Sequence, residues 1–198
     1  MIALSDKSPM TPEEYLAFEK TSEIRHEYID GELYAMAGAS KFHNIISGNL
    51  YILLRDKLRE SGCQTFIADV KVKLQEGRKF FYPDLLVSCD PNDDSDDFIV
   101  SNPRVIIEVL SPSTKSFDQT QKFLYYRTLS SLQEYLLIGT EHPFIQCYQR
   151  QTQDIWTVHF YEGIEVIAHI ESLELDLPMS DIYEGVTFVK NSDNLTSE

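Results

Sequence analysis

Two acidic residues stand where acids are costly. Asp84 lies in the run Phe80-Phe81-Tyr82-Pro83-Asp84-Leu85-Leu86-Val87. Glu108 lies in Val105-Ile106-Ile107-Glu108-Val109-Leu110, which leads into Ser111-Pro112-Ser113-Thr114. Short runs of β-branched and aromatic residues, bounded by turn residues, read as buried strands. A carboxylate inside such a strand is expensive unless it is paired or bound to a metal. Two of them, about one loop apart, fit adjacent strands that bring both acids to one point. Converging oxygen ligands on rigid elements would suit a hard divalent cation. The other reading, open at this point, is that each acid makes a structural ion pair.

Neighbouring residues add to the chemical reading. Lys122 follows in the next helix, from which its ammonium could swing back over the end of the Glu108 strand. Ser111 and Thr114 sit at the strand-to-helix turn, where hydroxyls and free N–H groups can cap the helix or receive a phosphate. Glu27, between His26 and Tyr28, offers a third carboxylate. Asp118 stands four residues before Lys122, a spacing that pairs the two on one helix face and lets the acid orient the lysine. His43 opens a helix, either as a partly buried end group or as a contact to phosphate or water.

The elements that must hold these groups follow from local patterns. Thr11-Pro12-Glu13-Glu14 has the marks of a helix start, running to about residue 20. Residues 23–34 read as two strands around Asp30-Gly31, a strong hairpin signal. Ser40 can cap a helix over about 41–60, with Ile46, Leu50, Leu53, Leu54 and Leu58 as its apolar stripe and Gly62 closing it. Residues 66–74 alternate as one half-buried strand, with Lys71 and Lys73 facing outward. Gly77 then turns the chain into the Asp84 strand.

Residues 90–97 form an acidic loop in which Asp90, Asn92 and Asp94 mimic the start of a calcium loop. Ser95 stands where such a loop needs glycine and Ser101 where it needs its closing glutamate, so a solvated loop is expected. A helix over about 116–129 should bury Phe123, Leu124, Tyr126 and Leu129. Strands follow at 134–138, 144–148 and 155–161, and 164–170 is expected as a last edge. Helices and strands alternate only in the middle, which gives an α/β fold with a mixed central sheet flanked by helices and additional antiparallel strands.

The chain has 198 residues, enough for one domain with a substantial core. Its net charge of −15 argues against non-specific binding of polyanions, although a bound metal can invert the field locally. Cys63, Cys89 and Cys147 are an odd count with no close pair, which argues against a disulfide framework and a zinc knuckle and fits a reducing cytoplasm. No basic and apolar leader is evident and no apolar run approaches a membrane span. His142, His159 and His169 lack zinc spacing and read as surface or structural groups. The aromatic residues of the second half, including Tyr126, Tyr135 and Phe160, read as core or dimer contacts. Lys71, Lys73, Arg78 and Lys79 form the one basic cluster, on a solvated hairpin or along a groove.

The order Pro83-Asp84, then Glu108-Val109-Leu110, resembles a PD-(D/E)xK phosphodiesterase core. From about residue 11 to 188 the chain resembles the Uma2 family (DUF820) of restriction-endonuclease-like proteins, abundant in cyanobacteria. The matching pieces are Glu27-Tyr28-Ile29-Asp30-Gly31-Glu32, His43, Tyr82-Pro83-Asp84, Ile107 through Thr114, Asp118 with Lys122 and Tyr126, and Glu134-Tyr135.

The resemblance implies a restriction-endonuclease-like core, with residues 1–190 as a single domain and 191–198 as a disordered tail. It implies a Mg²⁺- or Mn²⁺-dependent endonuclease acting on DNA, as a homodimer by analogy with similar nucleases. Asp84, Glu108 and the Val109 carbonyl would hold the metal. Lys122 would assist the attacking water, and Glu27 would bind a second ion or outer-shell water. Leu110 stands where the general motif has lysine, and Lys122 would replace it. The other class of function is a protein that keeps this fold as an inactive binding or regulatory module.

Overall fold

A computed structural model describes residues 9–36, 38–112 and 114–188; the tail expected at 191–198 falls outside the described residues. The first elements form as the sequence predicts. Thr11 caps α1 (Pro12–Glu19) with a reciprocal capping box to Glu14. Strands β1 (His26–Ile29) and β2 (Glu32–Ala35) pair across Asp30 and Gly31, both at positive φ. Pro9 packs where a Gly31 Cβ would point, 2.8 Å from its own Cβ, so that turn has no room for a larger residue. Ser40 caps α2 (Lys41–Lys57), and Ile46, Leu50 and Leu54 on its apolar stripe have no exposed surface.

Two sheets carry the middle of the chain. The run 66–74, expected as one strand, splits into β3 (Gln64–Ile67) and β4 (Lys71–Leu74) in different sheets. Ala68 and Asp69 adopt positive φ between them, a kink that unbroken alternation conceals. The run 80–87 divides likewise, into β5 (Lys79–Phe81) and β6 (Leu85–Ser88), leaving Asp84 on the bend between the sheets rather than inside a strand. A short β7 (Ile99–Val100) precedes β8 (Pro103–Val109).

Three helical turns follow: α3 (Lys115–Phe117), a π-helical turn (Asp118–Lys122) and α4 (Phe123–Tyr126). Leu124, expected to be buried, is half exposed. The chain then forms β9 (Glu134–Ile138), β10 (Phe144–Arg150) and β11 (Trp156–Glu162). The expected last edge, β12 (Ile167–Ile170), instead pairs with β13 (Leu175–Pro178) in a separate small sheet, followed by α5 (Met179–Ile182).

The larger sheet has the order β11-β10-β9-β8-β6-β3, with β8 and β9 parallel and its other pairs antiparallel. The second runs β2-β1-β5-β4-β7. Alternation along β8 separates its two faces. Val105, Ile107 and Val109 pack against α2, β12 and α5. Ile106 and Leu110 face the second sheet and α4, in a cluster with Val72, Phe81, Tyr126 and Tyr135. Glu108 shares that second face, so its carboxylate enters the seam between the two sheets. Truncating a core side chain such as Leu50 to alanine would cost about 2–5 kcal/mol.

Three expectations about polar groups are corrected. Cys63 and Cys89 form a disulfide: they flank the Gln64–Ser88 end of the β3–β6 pair, a proximity that only the strand register creates. Lys71 and Lys79 are buried rather than part of a solvated basic cluster; Lys79 pairs with Asp30 and Gln75. Asp93, in the acidic loop, is buried and accepts from Ser88 Oγ and from the backbone N–H groups of Ser101 and Asn102. Among the described residues no helix is long and apolar enough to cross a membrane.

Candidate active site

Strand register brings the two acids together. Leu85 pairs with Ile107 and Leu86 with Ile106, so one further step along the antiparallel ladder sets Asp84 across from Glu108. Like charges in directly opposed positions repel, and something must offset them. Asp84 is the more open of the two, with its side chain 23% exposed. Its Oδ2 accepts from the Val109 N–H at 2.7 Å and lies 3.2 Å from His43 Nε2.

His43 is in the first turn of α2, where its own N–H donates to Ser40 Oγ. Burial alone would lower the pKa of His43. The Asp84 hydrogen bond and charge, with help from the Val109 carbonyl, outweigh burial and raise it. His43 therefore reaches the site through Asp84 and Val109.

Glu108 is buried, and its Oε1 accepts from Lys122 Nζ at 3.0 Å and from the Tyr126 hydroxyl at 3.1 Å. Lys122 thus crosses from the helix to the strand end, while Leu110 is packed in the core. Asp118, Lys122 and Tyr126 recur every four residues and all three are buried, so one face of the helical segment supplies an acid, a cation and a hydroxyl. The π-helical turn Asp118–Lys122 widens the helix at this point, a distortion common at functional sites. The i, i+4 spacing of Lys122 and Tyr126 was the available signal for the tyrosine's place at Glu108.

The second sheet delivers Glu27. Its Oε1 lies 2.9 Å from Lys122 Nζ, and Asp118 Oδ1 lies 3.4 Å from the same atom. The Tyr82 N–H also donates to Glu27. Glu27 Oε1 and Asp118 Oδ1 are both buried, and both rely on the Lys122 ammonium that Glu108 also uses. Burial pushes the Glu27 carboxyl up, against the pull of Lys122. Burial pushes Glu108 well up, with the neighbouring acids adding to it and Lys122 opposing. Burial alone would lower the pKa of Lys122, but Glu108, Glu27, Tyr126 and Asp118 together outweigh it and hold the lysine well above its ordinary value.

The cluster therefore has more acids than cations. Glu27, Asp84, Glu108 and Asp118 face one lysine and one histidine. Three of the acids share one ammonium, and the available ligand atoms are hard oxygens, so the set fits a hard cation. Among the described residues no group of three or more His, Cys, Asp and Glu side chains is arranged to hold a metal alone. A site built on Asp84 and Glu108 would need the Val109 carbonyl and oxygens from water or substrate, which is how Mg²⁺ is usually held.

Ser111 and Thr114 close the turn after β8. Their hydroxyls are 2.9 Å apart and the Thr114 N–H points at Ser111 Oγ, while Thr114 makes no capping bond through its own side chain. Both belong to the turn rather than to the carboxylate cluster. His169 pairs with Asp176 and Glu171, away from the site.

Comparison with known proteins gives a consistent family. The family model Uma2, described as "Putative restriction endonuclease", matches residues 12–180. Two uncharacterized proteins of Synechocystis sp. (strain ATCC 27184 / PCC 6803 / Kazusa) are similar. Protein slr1290 is 34% identical over 95% of this chain and 100% of its own length. Protein sll1609 is 35% identical over 79% of this chain and 89% of its own. A solved structure from Anabaena variabilis ATCC 29413, titled a "putative nuclease belonging to DUF820", superposes with a TM-score of 0.74. It covers 90% of this chain and 100% of that one at 18% identity, a likeness of fold.

Proposed function

Since the chain belongs to the Uma2 family, we propose that it is a divalent-metal-dependent endonuclease hydrolysing phosphodiester bonds in DNA. One observation carries the reading: four acids gather around one lysine and one histidine, and three of them share the single ammonium. A purely structural cluster would match its acids with cations, because buried charge without compensation is costly.

Asp84, Glu108 and the Val109 carbonyl would hold Mg²⁺ or Mn²⁺. When bound, such an ion would acidify a water and neutralise charge on the phosphate. The other roles belong to the chain's own side chains. Lys122, fixed 3.0 Å from Glu108, takes the place of the lysine missing at Leu110 and offers positive charge to the developing oxyanion or orients the attacking water. Tyr126 keeps Glu108 aimed. Glu27 and Asp118 hold the lysine charged and extended. His43 and the Val109 N–H set the rotamer of Asp84. Ser111 and Thr114 shape the turn beside the strand end.

The net charge of −15 repels a polyanion at long range, so local attraction must come from the bound ion. Supercoiled plasmid incubated with wild type and with Asp84→Ala, in Mg²⁺ or Mn²⁺ and in chelator, tests the proposal. Nicking or linearisation is expected for wild type with metal alone. Equal cleavage by Asp84→Ala would remove Asp84 from the mechanism, and no cleavage of DNA by wild type would defeat the proposal.

A further inference from the structure

Beside this cluster, at the carboxyl ends of the parallel strands β8 and β9, lies a cavity of about 410 Å³. Its wall begins at Leu110 and Ser111, immediately after Glu108 and Val109. Across it stand Gly139 and Thr140, immediately after β9. In open α/β sheets the carboxyl ends of parallel strands are where ligands collect. The volume falls in the range of small-molecule sites and far exceeds the room a single phosphate or water needs.

The lining narrows the kind of ligand. His142 and Phe144 both face the cavity, their rings 5.6 Å apart and tilted at 46°. Gly139 keeps this wall close: a Cβ there would lie 3.0 Å from the His142 carbonyl oxygen and 3.2 Å from Phe144 Cβ. Leu110 supplies an apolar floor, and Gln119 and Thr140 supply amide and hydroxyl groups. The cavity's cation, Lys115, faces Glu141 at 3.9 Å, so the pair is close to neutral. A near-neutral cavity with two rings and a polar rim suits an uncharged, flat, hydrogen-bonding group better than a phosphate. An unstacked nucleobase has that chemistry, and bases stack on aromatic side chains in single-stranded recognition.

We infer that this cavity is a nucleoside subsite, which seats the base of a nucleotide flanking the phosphate held at Asp84 and Glu108. The inference rests on the nuclease reading for the phosphate, and it makes His142 and Phe144 determinants of substrate affinity. Neither residue touches the carboxylate cluster.

The test compares two diesters and one binding measurement on wild type, His142→Ala and Phe144→Leu. Metal-dependent cleavage of a DNA oligonucleotide is expected to show a KM raised about tenfold in each variant. Hydrolysis of methyl p-nitrophenyl phosphate, which has no base, is expected to be unchanged. Saturation-transfer NMR with thymidine and deoxyadenosine reads the subsite without cleavage, and is expected to give signal with wild type that His142→Ala loses. Wild-type KM for DNA in both variants, or no nucleoside signal with wild type, overturns the subsite. Failure of wild type to hydrolyse either diester would count against the nuclease reading instead, and the NMR result would still decide the subsite.

Discussion

Glu134 and Glu108 are almost equally buried, at 1% and 3% exposure, and both lie on the parallel pair β8–β9. Glu134 opens β9 and Glu108 stands next to the end of β8. Glu134 accepts from the backbone N–H groups of Glu171 and Ser172 and from the Ser172 hydroxyl, with Cys147 Sγ nearby. It ties the loop before β13 to the sheet, and neutral donors satisfy it. Glu108 is held by an ammonium shared with two other acids and faces a fourth across the ladder. One end of the strand pair uses a carboxylate as a structural anchor; the other concentrates carboxylates beyond what the local cations match. Burial of an acid is thus no guide to its role, whereas the balance of donors around it is.

The largest effect expected from disturbing this contrast is on folding. Lys122→Met leaves three buried acids around an apolar side chain and should cost about 3–5 kcal/mol in urea unfolding near neutral pH. Added Mn²⁺ should recover part of that loss. An unchanged unfolding midpoint would show that the lysine does not balance the cluster.

Next comes chemistry. Glu108→Gln should fold, since it removes an acid from a site with more acids than cations, and should lower metal-dependent cleavage by at least about a hundredfold. Glu134→Gln should do the reverse. It puts an amide where N–H donors converge, costs about 1–3 kcal/mol in stability, and leaves cleavage per folded molecule intact. Loss of cleavage in folded Glu134→Gln would erase the distinction between the two strand ends.

The smallest effect lies at the β1–β2 turn. A hydrogen bond from Lys79 holds the Asp30 carboxyl below its ordinary value near 3.8. That contribution is complete above the ordinary value and is lost as pH falls through the lowered one. Because Asp30 is half exposed and Lys79 keeps Gln75, Asp30→Asn should cost no more than about 1 kcal/mol at pH 7. The difference from wild type should shrink in acid unfolding as pH falls below the ordinary value and through the lowered one.

Much of this arrangement was legible in the sequence because it is local. The capping box at Thr11, the Asp-Gly hairpin and the apolar stripe of α2 each follow from residues within a few positions of one another. Asp84 and Glu108 could be paired because each interrupts an apolar run. The resemblance to Uma2 was borne out, as was the mixed α/β fold.

What escaped depends on register or on backbone kinks that side-chain type does not record. Alternation runs unbroken through Ala68 and Asp69, so the change of sheet there was hidden, and with it the burial of Lys71. Cys63 meets Cys89 only because β3 and β6 pair. Glu27 was visible as an acid, but its place opposite Lys122 needs the β1–β5 pairing that sets the second sheet against the first.

On the proposed function, the acid excess at Asp84 and Glu108 holds a divalent ion. Calorimetric titration of Mn²⁺ into wild type, Glu108→Gln and Glu134→Gln measures this directly. At least one ion per chain should bind to wild type and to Glu134→Gln, with binding lost in Glu108→Gln. Absence of binding to wild type, or equal binding to all three proteins, would contradict it.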